Sequence, residues 1–179
     1  MRHLLRKMKG GGQSPPRVGA AEILWSWIGS FTGIAAVSII HAAVLDRTGL
    51  IMIIGSFGAS AVLVYGAIRS PLAQPRNLLG GHILSAFIGV TAFQWLGGDT
   101  WFAAAAAVSL SIAIMHLTKT LHPPGGATAL IAVIGGDTIH GLGYLYVLMP
   151  AALGAGVMLL VALLVNNIPE KRKYPEFWR

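Results

Sequence analysis

Four histidines, His41, His82, His116 and His122, lie in or beside the apolar runs of this chain, and the hydroxyls of Ser56, Ser60 and Thr128 lie within them. An imidazole at membrane depth is a functional candidate, and near neutral pH it can move a proton together with an anion. A hydroxyl there can donate to an anion or cap a helix start. His82 follows Gly80-Gly81 and His122 stands beside Pro123 and Pro124, which makes these two the better candidates for lining a path. His41 and His116 sit at segment ends, where an imidazole is often simply interfacial. No Asp or Glu lies inside any apolar run. A carboxylate-lined cation path is therefore hard to build, and the polarity favours a small anion.

The elements that hold these residues belong to a membrane protein. Of 179 residues, 55% are hydrophobic and only 11% charged, against about 25% charged in soluble domains. The mean hydropathy is +0.69. The net charge of +7 could suggest nucleic acid, but Arg2, Arg6, Lys7, Lys9 and Arg17 precede the first apolar run and Lys171, Arg172, Lys173 and Arg179 follow the last. That placement is a topology signal rather than a nucleic-acid surface. There is no cysteine, so no redox compartment can be read. The chain divides into a flexible basic cytoplasmic tail (1–20), one transmembrane domain (21–168) and a second basic cytoplasmic tail (169–179).

Six apolar segments are expected: Trp25–Leu45, Leu50–Ile68, Leu78–Leu96, Trp101–Leu117, the short run that follows Pro124, and Tyr144–Val165. Arg69, Arg76 and Lys119 fall in alternate loops, whereas Asp46 with Arg47, then Asp99, then Asp137 fall in the others. Both termini are therefore expected in the cytoplasm, with a bacterial inner (plasma) membrane as the location. Two cytoplasmic ends require an even number of crossings, so the short fifth segment counts as one.

The fifth segment is too short for an ordinary crossing, which needs about 20 apolar residues. It shares a pattern with the second. Gly58-Ala59-Ser60-Ala61 lies over Gly126-Ala127-Thr128-Ala129, and Ala35–Ser38 matches Ala106–Ser109. Three segments repeated once, about 21–98 and 99–168, describe an all-α membrane fold built as a 3+3 inverted repeat. Segments two and five are its interrupted half-helices. Pro123 and Pro124 suit an extended entry and a first helical turn, and Gly125 and Gly126 leave backbone amides uncovered. Two helix N-termini at mid-membrane would attract an anion without a fixed cation. The expected binding set is Ser56, Phe57, Gly58, Ala59 and Ser60 from segment two, His82 from segment three, and His122 through Thr128 from segment five, including Pro123, Pro124, Gly125, Gly126 and Ala127. Arg76, Asn77 and Lys119 stand at the cytoplasmic mouth, although topology anchoring alone would also explain the charges.

LHPPGGATAL, with FGASAVLVYG and SPLAQPRNLLGGH, resembles the HPP family of integral membrane proteins over roughly residues 20 to 168. The family takes its name from the tripeptide found here as His122-Pro123-Pro124, and it is usually described with four spans. The resemblance implies transport of nitrite or a similar small anion. Some relatives carry a C-terminal CBS domain, and nothing here matches one.

An intramembrane serine protease fits poorly, because Ala61 rather than glycine follows Ser60 and the sixth run has no histidine to accept its proton. A metal site from His116 and His122 lacks a completing carboxylate or thiolate. The chain reads as a non-enzyme that needs no cofactor. A non-transporting membrane sensor or assembly subunit is the main alternative. Channel and proton-coupled carrier are not distinguished, and the chain's small size is compatible with a homo-oligomer. Because the chain has no native cysteine, a cysteine placed next to Asp99 is expected to react with an impermeant thiol label from outside the cell. Protection from outside would reverse the orientation.

Overall fold

The computed structural model describes residues 2–9, 12–45 and 50–179. Asp46 and Arg47, read above as a loop after segment one, lie outside the described residues, as do Met1, Gly10 and Gly11 of the basic tail. Every regular element among the described residues is helical. They are α1 (Arg2–Met8), α2 (Ala20–Ile40), α3 (Ser56–Ala61), α4 (Pro75–Leu96), α5 (Thr100–Leu117), α6 (Pro123–Ile134), α7 (Gly136–His140) and α8 (Leu153–Val165). Wider π turns prolong α2 over His41–Leu45 and α3 over Val62–Gly66, and another, Val147–Ala152, leads into α8.

Four helical stretches are long and apolar enough to cross a membrane: Ala20–Ala43, Pro75–Leu96, Thr100–Leu117 and Val147–Val165. Two shorter apolar helices, Ser56–Gly66 and Pro123–Ile134, fall in between. Local chemistry sets several of their ends. Ser70 accepts the Leu72 N–H at 3.2 Å to start a short 3₁₀ turn, and Pro75 then opens α4, where its missing N–H costs nothing. Met149 is extended (φ −141°, ψ 117°) because the Pro150 ring disfavours a helical residue before it. The last crossing is kinked there.

The interior of the bundle is largely apolar with a polar cluster inside it, and large apolar side chains also cover the outside. Ser56, Ser60, His82, Ser85, His122 and Thr128 are buried, while Trp27, Phe31, Trp95, Trp101 and Leu160 are exposed. α4 packs on α5 and α6, and α2 on α8. Phe57 presses on Gly154 of α8, and Tyr65 lies against Gly29 and Gly33 of α2 while donating to the Met158 carbonyl at 2.9 Å.

Arg69, Arg76, Lys119, Lys171, Arg172 and Arg179 gather at one end of the bundle, around two recesses of about 460 and 370 Å³. Asp99, just before α5, and Asp137, in α7, lie at the opposite end. The stretch 169–179, read from sequence as a tail, is packed at the basic end, with Arg172 and Tyr174 buried. Arg172 Nη2 donates to the Tyr65 carbonyl (2.7 Å) and to Asn166 Oδ1 (2.9 Å), and Asn166 Nδ2 donates to the Val64 carbonyl (2.9 Å). Val64 and Tyr65 end the Ser56–Gly66 helix, so these bonds supply donors to carbonyls that have no intrahelical partner. Glu22 Oε1 of α2 completes the set 3.3 Å from Arg172 Nη1. Arg172→Ala strands the half-exposed Glu22 carboxylate, the buried Tyr65 carbonyl and Asn166 Oδ1. It is expected to destabilise the protein by about 3 kcal/mol, read as a lowered midpoint in thermal unfolding in detergent.

Candidate functional site

Three helices meet where α4 and α6 touch backbone to backbone. Gly81, Ser85 and Gly89 recur every four residues on α4 and form a small-residue stripe facing α6. A Cβ on Gly81 would lie 2.5 Å from His122 Cβ. One on Gly125 would lie 2.7 Å from the Gly81 carbonyl oxygen and 2.9 Å from Ser85 Oγ, and one on Gly89 would lie 2.6 Å from the Ala129 carbonyl oxygen. Only glycine permits this approach. It brings His82, the residue after Gly81, level with the start of α6.

The third helix, α3, runs opposite to α6. Ser56 and Ser60, one turn apart on one face, reach Thr128 and His122 respectively. Ser56 Oγ is 2.8 Å from Thr128 Oγ1. Ser60 Oγ is 2.7 Å from His82 Nε2 and 2.9 Å from His122 Nε2. His82 Nδ1 is 2.7 Å from Thr128 Oγ1, and His122 Nδ1 is 2.8 Å from the Leu72 carbonyl oxygen. The two imidazole centroids are 5.2 Å apart, and Phe57 meets His82 edge-on at the same separation. Each of the five polar side chains is at most 1% exposed.

Several expected residues are elsewhere. Gly58 and Ala59 are exposed on the outer face of α3, Pro123 is exposed, and Gly126 and Ala127 are only half-buried. Pro124 is buried, and its carbonyl oxygen is 3.2 Å from Thr128 Oγ1. The three hydroxyls cap neither helix: no side-chain cap is present at Gly55 or His122. The short helices do not meet tip to tip. The pairing of Ser56 with Thr128 and of Ser60 with His122 makes them overlap by about one turn. The amides expected to be open at the start of α6 are also few. Pro123 and Pro124 have no N–H, and Gly125 N donates to the His122 carbonyl at 2.8 Å. Donors at this site come from hydroxyls and imidazoles instead.

Arg76 and Asn77 are tied to the turn before α6. Arg76 Nη2 donates to the Thr118 carbonyl at 2.6 Å, and Asn77 Nδ2 to the Leu121 carbonyl at 2.9 Å. With Lys119, His116, Leu72 and Arg179 they line the recess of about 370 Å³. His41 is half-buried, and its Nδ1 has no hydrogen-bond partner among the described residues. Two participants had no sequence signal. The Leu72 carbonyl is a backbone group, and Tyr146, whose hydroxyl donates to the Thr128 carbonyl at 3.0 Å, stands in an unremarkable apolar run.

The family model described as "HPP, transmembrane region" matches residues 15–175. The chain belongs to the HPP family. Two transmembrane proteins of Dictyostelium discoideum are similar to it. One is 50% identical over 176 residues, covering 97% of this chain and 56% of the relative. The other is 46% identical over 172 residues, covering 94% and 60%. The HPP chain thus spans little more than half the length of these relatives. No solved structure matches it.

The tripeptide of this HPP protein has a physical reading. His122 is extended (φ −142°, ψ 104°), as a residue before proline prefers, and the two prolines form the first positions of α6 without wasting an N–H. The extended backbone turns the imidazole back onto Ser60, away from its own helix. Just before it, α5 ends on Lys119 in the left-handed region (φ 56°), where glycine is the usual residue. Lys119→Gly removes this strain and is expected to stabilise the protein by about 1 kcal/mol, measured by thermal unfolding in detergent; an unchanged midpoint would contradict the strain argument.

Proposed function

We propose that this HPP protein transports a small inorganic anion, nitrite foremost, across the membrane, with the anion held where the two short helices overlap. One observation carries the reading: a fully buried cluster of Ser56, Ser60, His82, His122 and Thr128 that contains hydroxyl and imidazole groups and no carboxylate. Mutual hydrogen bonds offset the cost of burying these five side chains, and ionisable groups at membrane depth are functional candidates by default. In this reading the two short helices belong to opposite halves of a 3+3 inverted repeat, both termini are cytoplasmic, and the basic end faces the cytoplasm. Arg76, Lys119 and Arg179 then gather anions in the recess below the cluster. The strained backbone at Lys119 keeps a cation where glycine would fit better. The cluster is closed, so loading it requires the surrounding helices to part, as in alternating access.

The test is anion influx into proteoliposomes, comparing nitrite, nitrate, formate and chloride. Thr128→Leu removes a hydroxyl and fills its space. It is expected to lower nitrite influx by at least about tenfold, the equivalent of one lost buried hydrogen bond, while Thr128→Ser retains most of it. Equal flux in Thr128→Leu and wild type would remove the cluster from the path. The closed state of the cluster also suits a non-transporting sensor or assembly subunit, and absence of influx for all four anions would select that reading.

A further inference from the structure

The hydrogen bonds of the buried cluster have one consistent direction. The Leu72 carbonyl can only accept, so His122 Nδ1 carries a hydrogen and donates to it. With a neutral ring, His122 Nε2 is then an acceptor, and the Ser60 hydroxyl donates to it at 2.9 Å. Having spent its proton, Ser60 Oγ accepts from His82 Nε2 at 2.7 Å. His82 Nδ1 is therefore an acceptor for the Thr128 hydroxyl at 2.7 Å; Ser56 Oγ and the Pro124 carbonyl oxygen are the other acceptors within reach of that hydroxyl, at 2.8 and 3.2 Å. A single backbone carbonyl thus orients four side chains, His122, Ser60, His82 and Thr128, into one donor-to-acceptor chain.

Such a chain passes a proton without moving a heavy atom. The relay begins with a proton taken up at Thr128 Oγ1. Thr128 protonates His82 Nδ1, His82 releases its Nε2 proton to Ser60, and Ser60 protonates His122 Nε2. Three O–H or N–H bonds break and three re-form. The added bond is the new O–H at Thr128, and the added charge rests on His122, whose Nδ1–H faces the Leu72 carbonyl. Leu72 also lines the recess that holds Arg76, Lys119 and Arg179. Loss of the Nδ1 proton to a water molecule entering from that recess returns the ring to neutrality in its other tautomer, and the reverse sequence runs equally well.

The surroundings limit the load to one proton. None of the hydrogen-bond partners of the two rings is charged. Phe57 from α3 covers His82, and Ser85 of α4 is turned to Met115 of α5, with Oγ 3.7 Å from its sulfur. From the segment before α8, the Tyr146 hydroxyl is committed to the Thr128 carbonyl. Two imidazolium rings 5.2 Å apart, with no counter-charge among their partners, repel strongly. We infer that this protein carries one proton with each monovalent anion, on the His82–His122 pair bridged by Ser60, so that transport is electroneutral. This rests on the transport reading above.

Purified full-length protein in phosphatidylcholine/phosphatidylglycerol vesicles, with a pH dye trapped inside and the potential clamped by potassium and valinomycin, is given external nitrite. Rates in protein-free vesicles are subtracted, because nitrous acid itself crosses lipid. The expected result is influx that acidifies the lumen by about one proton per nitrite and does not respond to the clamped potential. Ser60→Ala leaves both rings but removes the bridge, and should slow coupled influx by on the order of 10²-fold. His122→Gln keeps a hydrogen-bonding side chain that cannot take up the proton; its influx should be lost or become potential-driven without acidification. Both variants are compared at equal monodispersity in size-exclusion chromatography; if Ser60→Ala fails that criterion, His122→Gln decides. Wild-type influx that follows the potential without acidification overturns the proton proposal and leaves anion transport standing, as does coupled influx at the wild-type rate in a monodisperse variant. Absence of wild-type nitrite influx overturns both.

Discussion

A helix that begins or ends inside an apolar bundle leaves backbone groups that water does not reach, and much of this structure answers that constraint. At the start of α6 the prolines delete two of the unpaired N–H groups, and the His122 carbonyl accepts a third from Gly125. At the far end of the Ser56–Gly66 helix, Arg172 and Asn166 bring donors from beyond α8 to the Tyr65 and Val64 carbonyls. Shortness is thereby made compatible with burial. The same solution gives the C-terminal stretch a structural role that a basic composition alone would not suggest.

The second determinant is the contact of α4 with α6. Where Gly81 meets Gly125 and Gly89 meets Ala129, no side chain separates the backbones. A larger residue at Gly81 would push His82 away from Thr128 and His122 away from Ser60. The glycine stripe is therefore the mechanical basis of the polar cluster. It places two imidazoles from different helices within reach of one serine hydroxyl on a third. Packing and polar chemistry are one arrangement here: hydrogen-bond lengths of 2.7 to 2.9 Å exist because the helices are in van der Waals contact.

Much of this was legible in the residues. Continuous apolar runs and breaker positions foretold the order of long and short helices, and the absence of carboxylates inside those runs foretold the character of the buried cluster. His82, His122, Ser60 and Thr128 stood out because polar side chains are expensive in lipid. The finer geometry was not legible. Gly58, Ala59 and Pro123 share the local patterns of their neighbours yet face outward, because helical rotation turns adjacent residues by about 100° and the pattern does not say which face is inside. Tyr146 was hidden because an aromatic in an apolar run carries no mark of its hydrogen bond. The Leu72 carbonyl was hidden because every residue has one.

What the amino-acid sequence determined by itself is the solvent and the segment lengths: hydropathy demands a bilayer, and prolines and glycines set where a helix can start within it. Tertiary structure alone decided that the two short helices overlap side by side rather than meeting at their tips. It also decided that Ser56, Ser60, His82, His122 and Thr128 form one hydrogen-bonded chain. The physical reason is that segment lengths follow from local free energies of transfer and backbone propensity. The partners of a buried polar atom instead depend on how closely distant backbones can approach, which is set by atoms tens of residues apart.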